Sequence, residues 1–254
     1  MTKTDIVVLA AGKGTRMRSQ IPKVLHRLAG KPMLTHVLDA AAGIADAQKI
    51  VVTGHGADIV RASYSEAAFT MVEQTEQLGT GHAVTCALGE LRAGAKVVIL
   101  YGDVPLITPA TISNMLAAVD EKHIALLTIE LSDPSGYGRI IRDSEGHIEA
   151  IVEQKDASPE QLDIAEVNTG VMALTTELLA SWLPQIGNQN AQGEYYLTDL
   201  IAIARGAGYS VNSVQPNSAS EVEGINSRQQ LAALERVYQL QLATKLMASG
   251  TSLA

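Results

Sequence analysis

Short apolar runs rich in β-branched residues alternate with helical patterns along the first half of this 254-residue chain. The runs predicted to form strands are residues 6–10, 49–53, 70–73 and 96–101. Residues 33–44 and 82–91 have helical periodicity, and Pro32 suits the first position of the earlier helix. Because such alternation builds a parallel sheet through right-handed crossovers, it predicts a doubly wound α/β domain. Ligands bind such sheets outside the carboxyl ends of the strands.

The pattern changes after about residue 131, where turn-forming residues become frequent. The elements predicted there are a β-hairpin over 139–142 and 147–153, a strand over 170–174 and a helix over 176–183. We interpret this region as a small β lobe inserted into the same sheet, not as a separate domain. The final segment, 228–247, is predicted to be an amphipathic helix. Its apolar positions are Leu231, Leu234, Tyr238 and Leu242, at spacings of three and four.

The first predicted strand leads into a loop of small residues that contains Gly12 and Gly14. Glycines allow the backbone to turn its N–H groups inward, which forms an anion-binding concavity. Lys13, Arg16 and Lys23 add positive charge. Between residues 6 and 38 the chain has six Lys or Arg and no Asp or Glu, although its formal net charge is -8. This local inversion predicts a site for a highly charged phosphate ligand, with an ordinary βα turn as the alternative.

Two common phosphate loops do not match this segment. A Walker loop requires four residues between its first glycine and Gly-Lys-Ser/Thr, and the order Gly12-Lys13-Gly14-Thr15 does not provide them. A dinucleotide fingerprint requires a third glycine where this chain has Met17. The loop is therefore of a different kind.

The composition limits the cellular compartment and the classes of partner that we expect. The only cysteine, Cys86, excludes an internal disulfide and favours a reducing compartment. No signal-peptide pattern or long apolar span is present, so we expect a cytoplasmic protein with no membrane partner. The acidic net charge, with basic residues concentrated in one segment, argues against nucleic-acid binding.

Two further loops follow predicted strands. Gln74 comes after the third strand and leads to Gly79 and Thr80; its amide offers the mixture of donors and acceptor that a uracil edge requires. A glycine-rich turn with a solvated glutamine is the alternative. The fourth strand ends in Gly102-Asp103, which places a carboxylate where phosphates are expected. Asp103 is thus a candidate Mg²⁺ ligand, and otherwise a turn cap.

Isolated polar residues and glycines recur later in the chain, at Gly138, Glu153, Asn168 and Asn226. A sugar is bound by neutral amides and by carboxylates that accept hydrogen bonds from its hydroxyls. Each of these residues alone is equally compatible with a structural role. Asn226 has two interpretations, as the cap of the final helix or as a metal ligand through its carbonyl oxygen. No Ser/His/Asp or Cys/His pairing is apparent.

In chain order, these motifs resemble the sugar-1-phosphate nucleotidyltransferases, whose fold is Rossmann-like with a mixed, mainly parallel sheet. They look most like the uridyltransferase (pyrophosphorylase) half of the bifunctional N-acetylglucosamine-1-phosphate uridyltransferase/glucosamine-1-phosphate acetyltransferase family. The segments that carry the resemblance are 9–17, 22–26, 76–83, 101–106, 136–139, 168–170, 192–199 and 223–226. The opening loop is common to the wider superfamily. The Gln-Gly-Glu-Tyr-Tyr and Glu-Gly-Ile-Asn segments are much narrower and indicate the substrate.

The resemblance implies a role for each motif residue. Nucleotide contacts are expected from Leu9, Ala10, Ala11, Gly12, Lys23, Gln74, Gly79, Thr80, Tyr101, Gly102 and Asp103. Sugar contacts are expected from Gly138, Glu153, Asn168 and Asn226. The implied cofactor is Mg²⁺ on Asp103 and Asn226, and the implied catalytic residues are Arg16 and Lys23. The implied reaction makes UDP-N-acetylglucosamine, a precursor of cell-wall peptidoglycan and lipopolysaccharide, from UTP and N-acetylglucosamine 1-phosphate.

One departure from the bifunctional family concerns the end of the chain. That family continues into a left-handed β-helix of hexapeptide repeats, which carries the acetyltransferase and forms a homotrimer. This sequence has no such repeat after its final helix. We therefore expect a nucleotidyltransferase domain over 1–227 and a helix over 228–254 that leads toward the missing domain, without acetyltransferase activity. Three alternatives stay open: transfer to another sugar 1-phosphate, use of a thymidine nucleotide, and a non-catalytic module that binds a nucleotide sugar.

Overall fold

A computed structural model describes residues 3–65 and 68–253. The strands are Thr4–Ala10 (β1), Arg27–Leu28 (β2), Lys31–Pro32 (β3), Ala47–Thr53 (β4), Thr70–Glu73 (β5), Lys96–Tyr101 (β6), His123–Glu130 (β7), Arg139–Arg142 (β8), Ile148–Val152 (β9), Glu166–Thr175 (β10) and Ser210–Val214 (β11). The helices are Met33–Ala42 (α1), Ala57–Ser63 (α2), Thr80–Ala87 (α3), Pro109–Ala117 (α4), Pro159–Leu162 (α5), Thr176–Trp182 (α6), Asp199–Gly206 (α7) and Arg228–Ala248 (α8). Short 3₁₀ turns at Thr15–Met17 and Lys23–Leu25 follow β1.

Over the described residues, nine strands form one mixed sheet. Its central order is β11-β7-β10-β6-β1-β4-β5, with β8 paired to β10 and β9 paired to β8. Strands β1, β4, β5 and β6 pair in parallel, as do β7 and β11, whereas β10 runs antiparallel to both β6 and β7. The parallel strands therefore all end at one edge of the sheet, and β10 begins there.

Strand β1 is buried on both faces because helices cover both sides of the sheet. Ile6 and Val8 point to the layer that contains α1 and α4, while Val7 and Leu9 point to the layer of α3, α6 and α7. Side chains alternate across a strand, so a continuous apolar run is the pattern expected for a strand covered on both sides. The doubly wound arrangement predicted from the alternation is confirmed.

The predicted elements are present with adjusted ends. The four early strands match β1, β4, β5 and β6, with β1 and β4 each starting two residues earlier. The helix expected over 82–91 begins at Thr80 and ends as an α-helix at Ala87, followed by a 3₁₀ turn. The expected position of Pro32 is wrong: it is the N-cap of α1, with φ -52° and ψ 143°, because it also closes the β2–β3 ladder.

The β lobe is part of the main sheet, as expected. Strands β8 and β9 form the predicted antiparallel hairpin, and β8 pairs with β10 through Arg139 and Val167. Strand β10 is longer than the predicted 170–174, and its register shifts between Asn168 and Met172. This bulge lies in the half of β10 that begins at the edge where the parallel strands end, and bulges commonly reorient side chains beside functional sites.

Helix α8 packs against the domain only along its first half. Leu234 is fully buried in a small cluster with Leu28 and Ile225, and Leu231 and Tyr238 pack beside it. Leu242, expected on the same apolar face, is 47% exposed, so the packed face ends before it. Among the described residues, no helix combines the length and apolar character needed to cross a membrane.

Candidate functional site

Two cavities meet at the edge of the sheet where the parallel strands end. The glycine-loop cavity, of about 540 Å³, is bounded by residues 9–15, Lys23, Gln74 and Glu194. The lobe cavity, of about 350 Å³, lies between the β8–β9 lobe and the segment before α8. Tyr101 and Asp103 line both cavities, so the end of β6 is the boundary between them. A molecule in one cavity can therefore meet a molecule in the other at Asp103.

The sequence-predicted residues separate between these cavities. Every residue predicted to bind a nucleotide, except Gly102, lines the glycine-loop cavity. Gly102 is buried behind the wall, where its N–H donates to the Leu9 carbonyl at 2.9 Å, and a side chain there would press on Val24. The four residues predicted to bind a sugar, Gly138, Glu153, Asn168 and Asn226, all line the lobe cavity. The roles themselves stay predictions.

The loop after β1 approaches Lys23 closely because of Gly14. Gly14 has φ +60°, and a Cβ built on it would lie 2.7 Å from the Cβ of Lys23. A side chain at this position would force the loop away from Lys23, and a left-handed φ favours glycine. The loop therefore holds the Lys23 side chain against the cavity wall.

Asp103, Lys23 and Asn226 form a chain of contacts at the boundary. The Lys23 ammonium forms an ion pair with the Asp103 carboxylate and donates to Asn226 Oδ1 at 3.0 Å. The side chains of Lys23 and Asp103 are 13% and 15% exposed, so the ion pair is largely shielded from water. Asn226 does not cap α8: Ser227 does, by accepting from the backbone N–H of Gln230. The Asn226 oxygen, which has no capping role, thus already contacts a cation, the Lys23 ammonium.

These contacts test whether the boundary suits a metal. Among the described residues, no cluster of three or more His, Cys, Asp or Glu side chains is arranged to hold one. Asp103 and Asn226, however, both direct an oxygen at the same positively charged atom, Lys23 Nζ. Mg²⁺ prefers oxygen ligands and takes only one or two from protein when phosphates supply others. The pair therefore fits Mg²⁺ shared with a phosphate ligand.

Gln74 presents one face of its amide to the protein. Its Nε2 donates to the carbonyl of Gly79 at 3.0 Å and lies 3.0 Å from His82 Nδ1. Both N–H groups are thus used inside the fold, although the sequence suggested that they face a ligand. The Gln74 side chain offers the cavity an acceptor rather than a mixture.

The loop at Gly79 is clamped by the narrow Gln-Gly-Glu-Tyr-Tyr segment. The N–H of Gly81 donates to Tyr195 O at 2.8 Å, and the N–H of Tyr195 donates to Leu78 O at 2.8 Å. Gly79 has φ +112°, and a Cβ there would lie 2.6 Å from Tyr195 O. This contact brings Glu194 to the cavity wall, a residue that sequence reasoning did not assign to the site. The only sequence signal for Glu194 was its membership of the Gln-Gly-Glu-Tyr-Tyr segment, which gave it no particular role.

The lobe cavity is built from short contacts between the lobe and β10. The N–H of Asn168 donates to Gly138 O at 2.8 Å, and Asn168 Oδ1 accepts from the N–H of Gly170 at 2.9 Å. Gly170 has φ +89°, and a Cβ there would lie 2.6 Å from the Tyr101 ring. The bulge in β10 thus packs on the boundary residue Tyr101.

Carboxylates shape the electrostatics of this cavity. Burial raises the pKa of Glu153; Thr198, which donates to Oε1 at 3.1 Å, opposes that rise, and Asp156 and Asp199 add to it. Burial also raises the pKa of Tyr101, and Glu153 and Asp103 contribute. Tyr101 is therefore a neutral phenol.

Arg16 lies on the rim, apart from the ion pair. It is exposed, sits in the 3₁₀ turn Thr15–Met17 and lines the lobe cavity. The same turn is held from the other side by Arg228, whose Nε donates to Met17 O at 3.0 Å. The sequence analysis did not identify Arg228. This residue lies two positions after the Glu-Gly-Ile-Asn motif, and its sequence context does not distinguish it from other helix residues.

The chain matches the family model of the MobA-like NTP transferase domain over residues 6–157. Curated relatives named bifunctional protein GlmU are 54% identical over 249 residues in Cellvibrio japonicus and over 254 residues in Marinobacter nauticus. The matches cover 98% and 100% of this chain but 55% and 56% of those proteins. The chain thus spans about half the length of the curated relatives it matches.

Solved structures share the fold at low sequence identity. A nucleotidyl transferase from Methanothermobacter matches with a TM-score of 0.68 at 18% identity, over 95% of this chain and 100% of that one. UDP-glucose pyrophosphorylase complexed with UDP-glucose gives 0.73 at 17% identity, over 94% and 99%. The inositol-1-phosphate CTP transferase from T. maritima gives 0.72 at 18%, over 100% and 99%. The predicted type of α/β fold is confirmed.

Proposed function

This chain belongs to the MobA-like NTP transferase family, and on that premise we propose that it transfers UMP from UTP to N-acetylglucosamine 1-phosphate. The products are UDP-N-acetylglucosamine and pyrophosphate. The curated relatives named bifunctional protein GlmU support this choice, since 54% identity extends over nearly the whole of this chain. The narrow motifs also support it, because 192–196 contributes Glu194 to the glycine-loop cavity and 223–226 contributes Gly224 and Asn226 to the lobe cavity.

The observation that carries the proposal is the junction of the two cavities at Asp103. The glycine-loop cavity has glycines, Lys13 and Lys23 for a triphosphate, together with Gln74 for a base. The lobe cavity has Asn168 and Glu153 for the hydroxyl and amide groups of a sugar. Two substrates in these cavities would bring their phosphates together at Asp103 and Lys23, as group transfer between them requires.

The chemistry needs positioning and charge neutralisation more than proton transfer. An oxygen of the sugar 1-phosphate attacks the α-phosphorus of UTP, the bond from that phosphorus to the bridging oxygen breaks, and pyrophosphate leaves in line. The attacking phosphate is already ionised at neutral pH, so no general base is required. Lys23 and Arg16 stabilise the negative charge that develops in the transition state and on the leaving group.

The proposed cofactor is Mg²⁺, held by Asp103 and Asn226. When bound, it supplies Lewis-acid stabilisation of phosphate charge. The Asp103 carboxylate and the Asn226 amide oxygen already converge on one cationic atom, which supports this ligand pair. We place the reaction in the cytoplasm, where UTP is available and the free Cys86 thiol stays reduced.

The test is pyrophosphate release with UTP and Mg²⁺, comparing the 1-phosphates of N-acetylglucosamine, glucosamine and glucose. We expect release with the N-acetylated sugar, and loss of that release when EDTA removes the metal. Release with another sugar instead would keep the chemistry and replace the substrate. No release with any of the three sugars, from protein that binds UTP, would overturn the catalytic proposal in favour of a binding module.

A further inference from the structure

The amide of Gln74 is fixed in one orientation by two acceptors. Gly79 O is a carbonyl oxygen and can only accept, so the atom that faces it at 3.0 Å is the amide nitrogen. The second N–H of that nitrogen is directed to His82 Nδ1, also at 3.0 Å. One amide N–H therefore donates to Gly79 O and the other donates to His82 Nδ1.

The other side of the His82 ring is consistent with this assignment. When Nδ1 accepts, the proton of a neutral ring lies on Nε2. His82 Nε2 lies 4.0 Å from the sulfur of Cys86, one turn further along α3, and that sulfur is a weak acceptor. Each ring nitrogen therefore has a partner that suits this tautomer.

The oxygen of the Gln74 amide faces the glycine-loop cavity. Gln74 lines that cavity although it is only 3% exposed. Within residues 3–65 and 68–253, its Oε1 accepts no hydrogen bond, yet it is not an enclosed orphan: His26 Nε2 alone is buried without a partner. The cavity is therefore presented with a fixed acceptor.

We propose that His82 is a positioning residue that selects the base of the nucleotide through Gln74. This inference rests on the proposed function and identifies what makes the base site specific. Uracil presents an N3–H donor that pairs with the fixed oxygen, whereas cytosine presents a lone pair at N3. A site built to hydrogen-bond a substrate rejects an analogue that leaves its buried polar group unpaired. Thymine keeps the same N3–H, so His82 does not exclude it.

Three variants on helix α3 test this assignment. His82→Leu removes the acceptor, His82→Asn offers a carbonyl oxygen in place of Nδ1, and Thr85→Ala deletes a different side-chain hydrogen bond of the same helix, the one to Gly81 O. Calorimetric binding of UTP and CTP without sugar phosphate gives the base preference. Pyrophosphate release then gives kcat and KM for each nucleotide.

We expect His82→Leu to lower the preference for UTP over CTP by about tenfold or more, mainly through a higher KM for UTP. His82→Asn should retain most of the preference, and Thr85→Ala should leave it unchanged. A folded His82→Leu protein with the wild-type preference would overturn the inference. An equal loss of the preference for UTP in His82→Asn and His82→Leu would also overturn it. The size of the side chain, and not its ability to accept a hydrogen bond, would then decide the preference.

A measurement on the wild-type protein covers the case in which His82→Leu does not fold. The ¹⁵N shifts of the His82 ring distinguish a bare Nδ1 from a protonated one, and a protonated Nδ1 would overturn the inference. The binding data also separate this inference from the proposed function. Wild-type protein that prefers UTP over CTP but releases no pyrophosphate would refute the transferase and leave the role of His82 intact.

Discussion

Lys23 and Asp103, two side chains of opposite charge, occupy the boundary between the two cavities. They could be predicted from the sequence because each follows an element that ends at the same edge of a parallel sheet. Asn226 was equally visible as part of a motif, but its contact with Lys23 spans more than 200 residues of chain and no local pattern specifies it. Glu194 was not assigned a role for the same reason, whereas the contacts of His82 are local, to Gln74 and Cys86, and were overlooked.

Arg16 provides the most direct test of the charge-neutralising role. Arg16→Ala removes a cation from the rim of the lobe cavity without disturbing the core, since Arg16 is exposed. By analogy with removal of one oxyanion donor, kcat should fall by about 10²–10³-fold. Thermal unfolding should stay as in the wild type. Arg18→Ala, an exposed neighbour, is the control; near-normal kcat in Arg16→Ala would remove Arg16 from this role.

The raised pKa of Glu153 leads us to expect that the stability of the fold depends on pH. Its pKa is raised above 4.5 chiefly by burial, so the folded chain binds this proton more tightly than the unfolded chain does. Stability is therefore lost as pH rises from 4.5 through the folded-state pKa. Glu153→Gln should unfold at a higher temperature than wild type at pH 7, with the difference shrinking toward pH 4, and should bind sugar phosphate more weakly. Exposed Glu149→Gln should show no such trend in thermal unfolding.

At the scale of elements, the strands that end at the site were predictable and the clamp over Gly79 was not. A continuous apolar run identifies a strand covered on both faces, which is why β1 and β6 could be located. The segment 192–196 has no periodicity, and it is ordered by main-chain hydrogen bonds to residues more than 100 positions away. The antiparallel direction of β10 was also not predicted, because it depends on which strands β10 pairs with in the sheet and not on its own residues.

Gly79→Ala tests the clamp. A methyl group there would meet Tyr195 O at 2.6 Å from a backbone with φ +112°, so either the loop or the clamp must shift. We expect a loss of about 2 kcal/mol or more in the free energy of unfolding, measured by denaturant titration. Gly89→Ala is the matched control, since its added methyl meets no atom within 4 Å. Equal stability of the two variants would contradict the clamp.

Helix α8 contacts the Thr15–Met17 turn through Arg228. Arg228→Met removes the hydrogen bond to Met17 O and frees the turn that carries Arg16. We expect kcat to fall by about tenfold, the scale of one charged hydrogen bond, with little change in the KM for UTP. Arg236→Met, further along the same helix and bonded only to Gln239 among the described residues, is the control. An unchanged kcat in Arg228→Met would show that the Thr15–Met17 turn keeps its conformation without the hydrogen bond from Arg228.

At the scale of the whole molecule, charge is distributed unevenly. The chain is acidic overall, with a formal net charge of -8, yet residues 6–38 carry six cations, of which Lys13 and Lys23 line the glycine-loop cavity. Sequence reasoning predicted this concentration, because it needs only the order of residues. The meeting of two cavities at one carboxylate depends on how the strands are ordered in the assembled sheet and could not be predicted that way.

This distribution predicts how salt affects nucleotide binding. Exposed cations such as Lys13 and Arg16 attract a triphosphate through water, and salt screens that attraction. We therefore expect UTP affinity to fall several-fold between about 0.05 and 0.5 M salt, measured by calorimetry at constant Mg²⁺. UMP, with fewer charges, should lose much less. A similar loss for both nucleotides would contradict attraction of the triphosphate by these exposed cations.

The reversed course of β10 has a consequence for how such a molecule can diversify. Since β10 enters at the active edge, the lobe residues Gly138 and Asn168 come from one continuous insertion, whereas the glycine-loop cavity is built mostly from residues before 104. Residues 135–170 therefore supply one contiguous part of the lobe cavity, and Arg16, the end of β6 and residues 222–230 supply the rest. On the proposed function, we expect exchange of residues 132–170 with a homologous stretch to alter the sugar preference, while the affinity for UTP, which depends on residues before 104, stays unchanged.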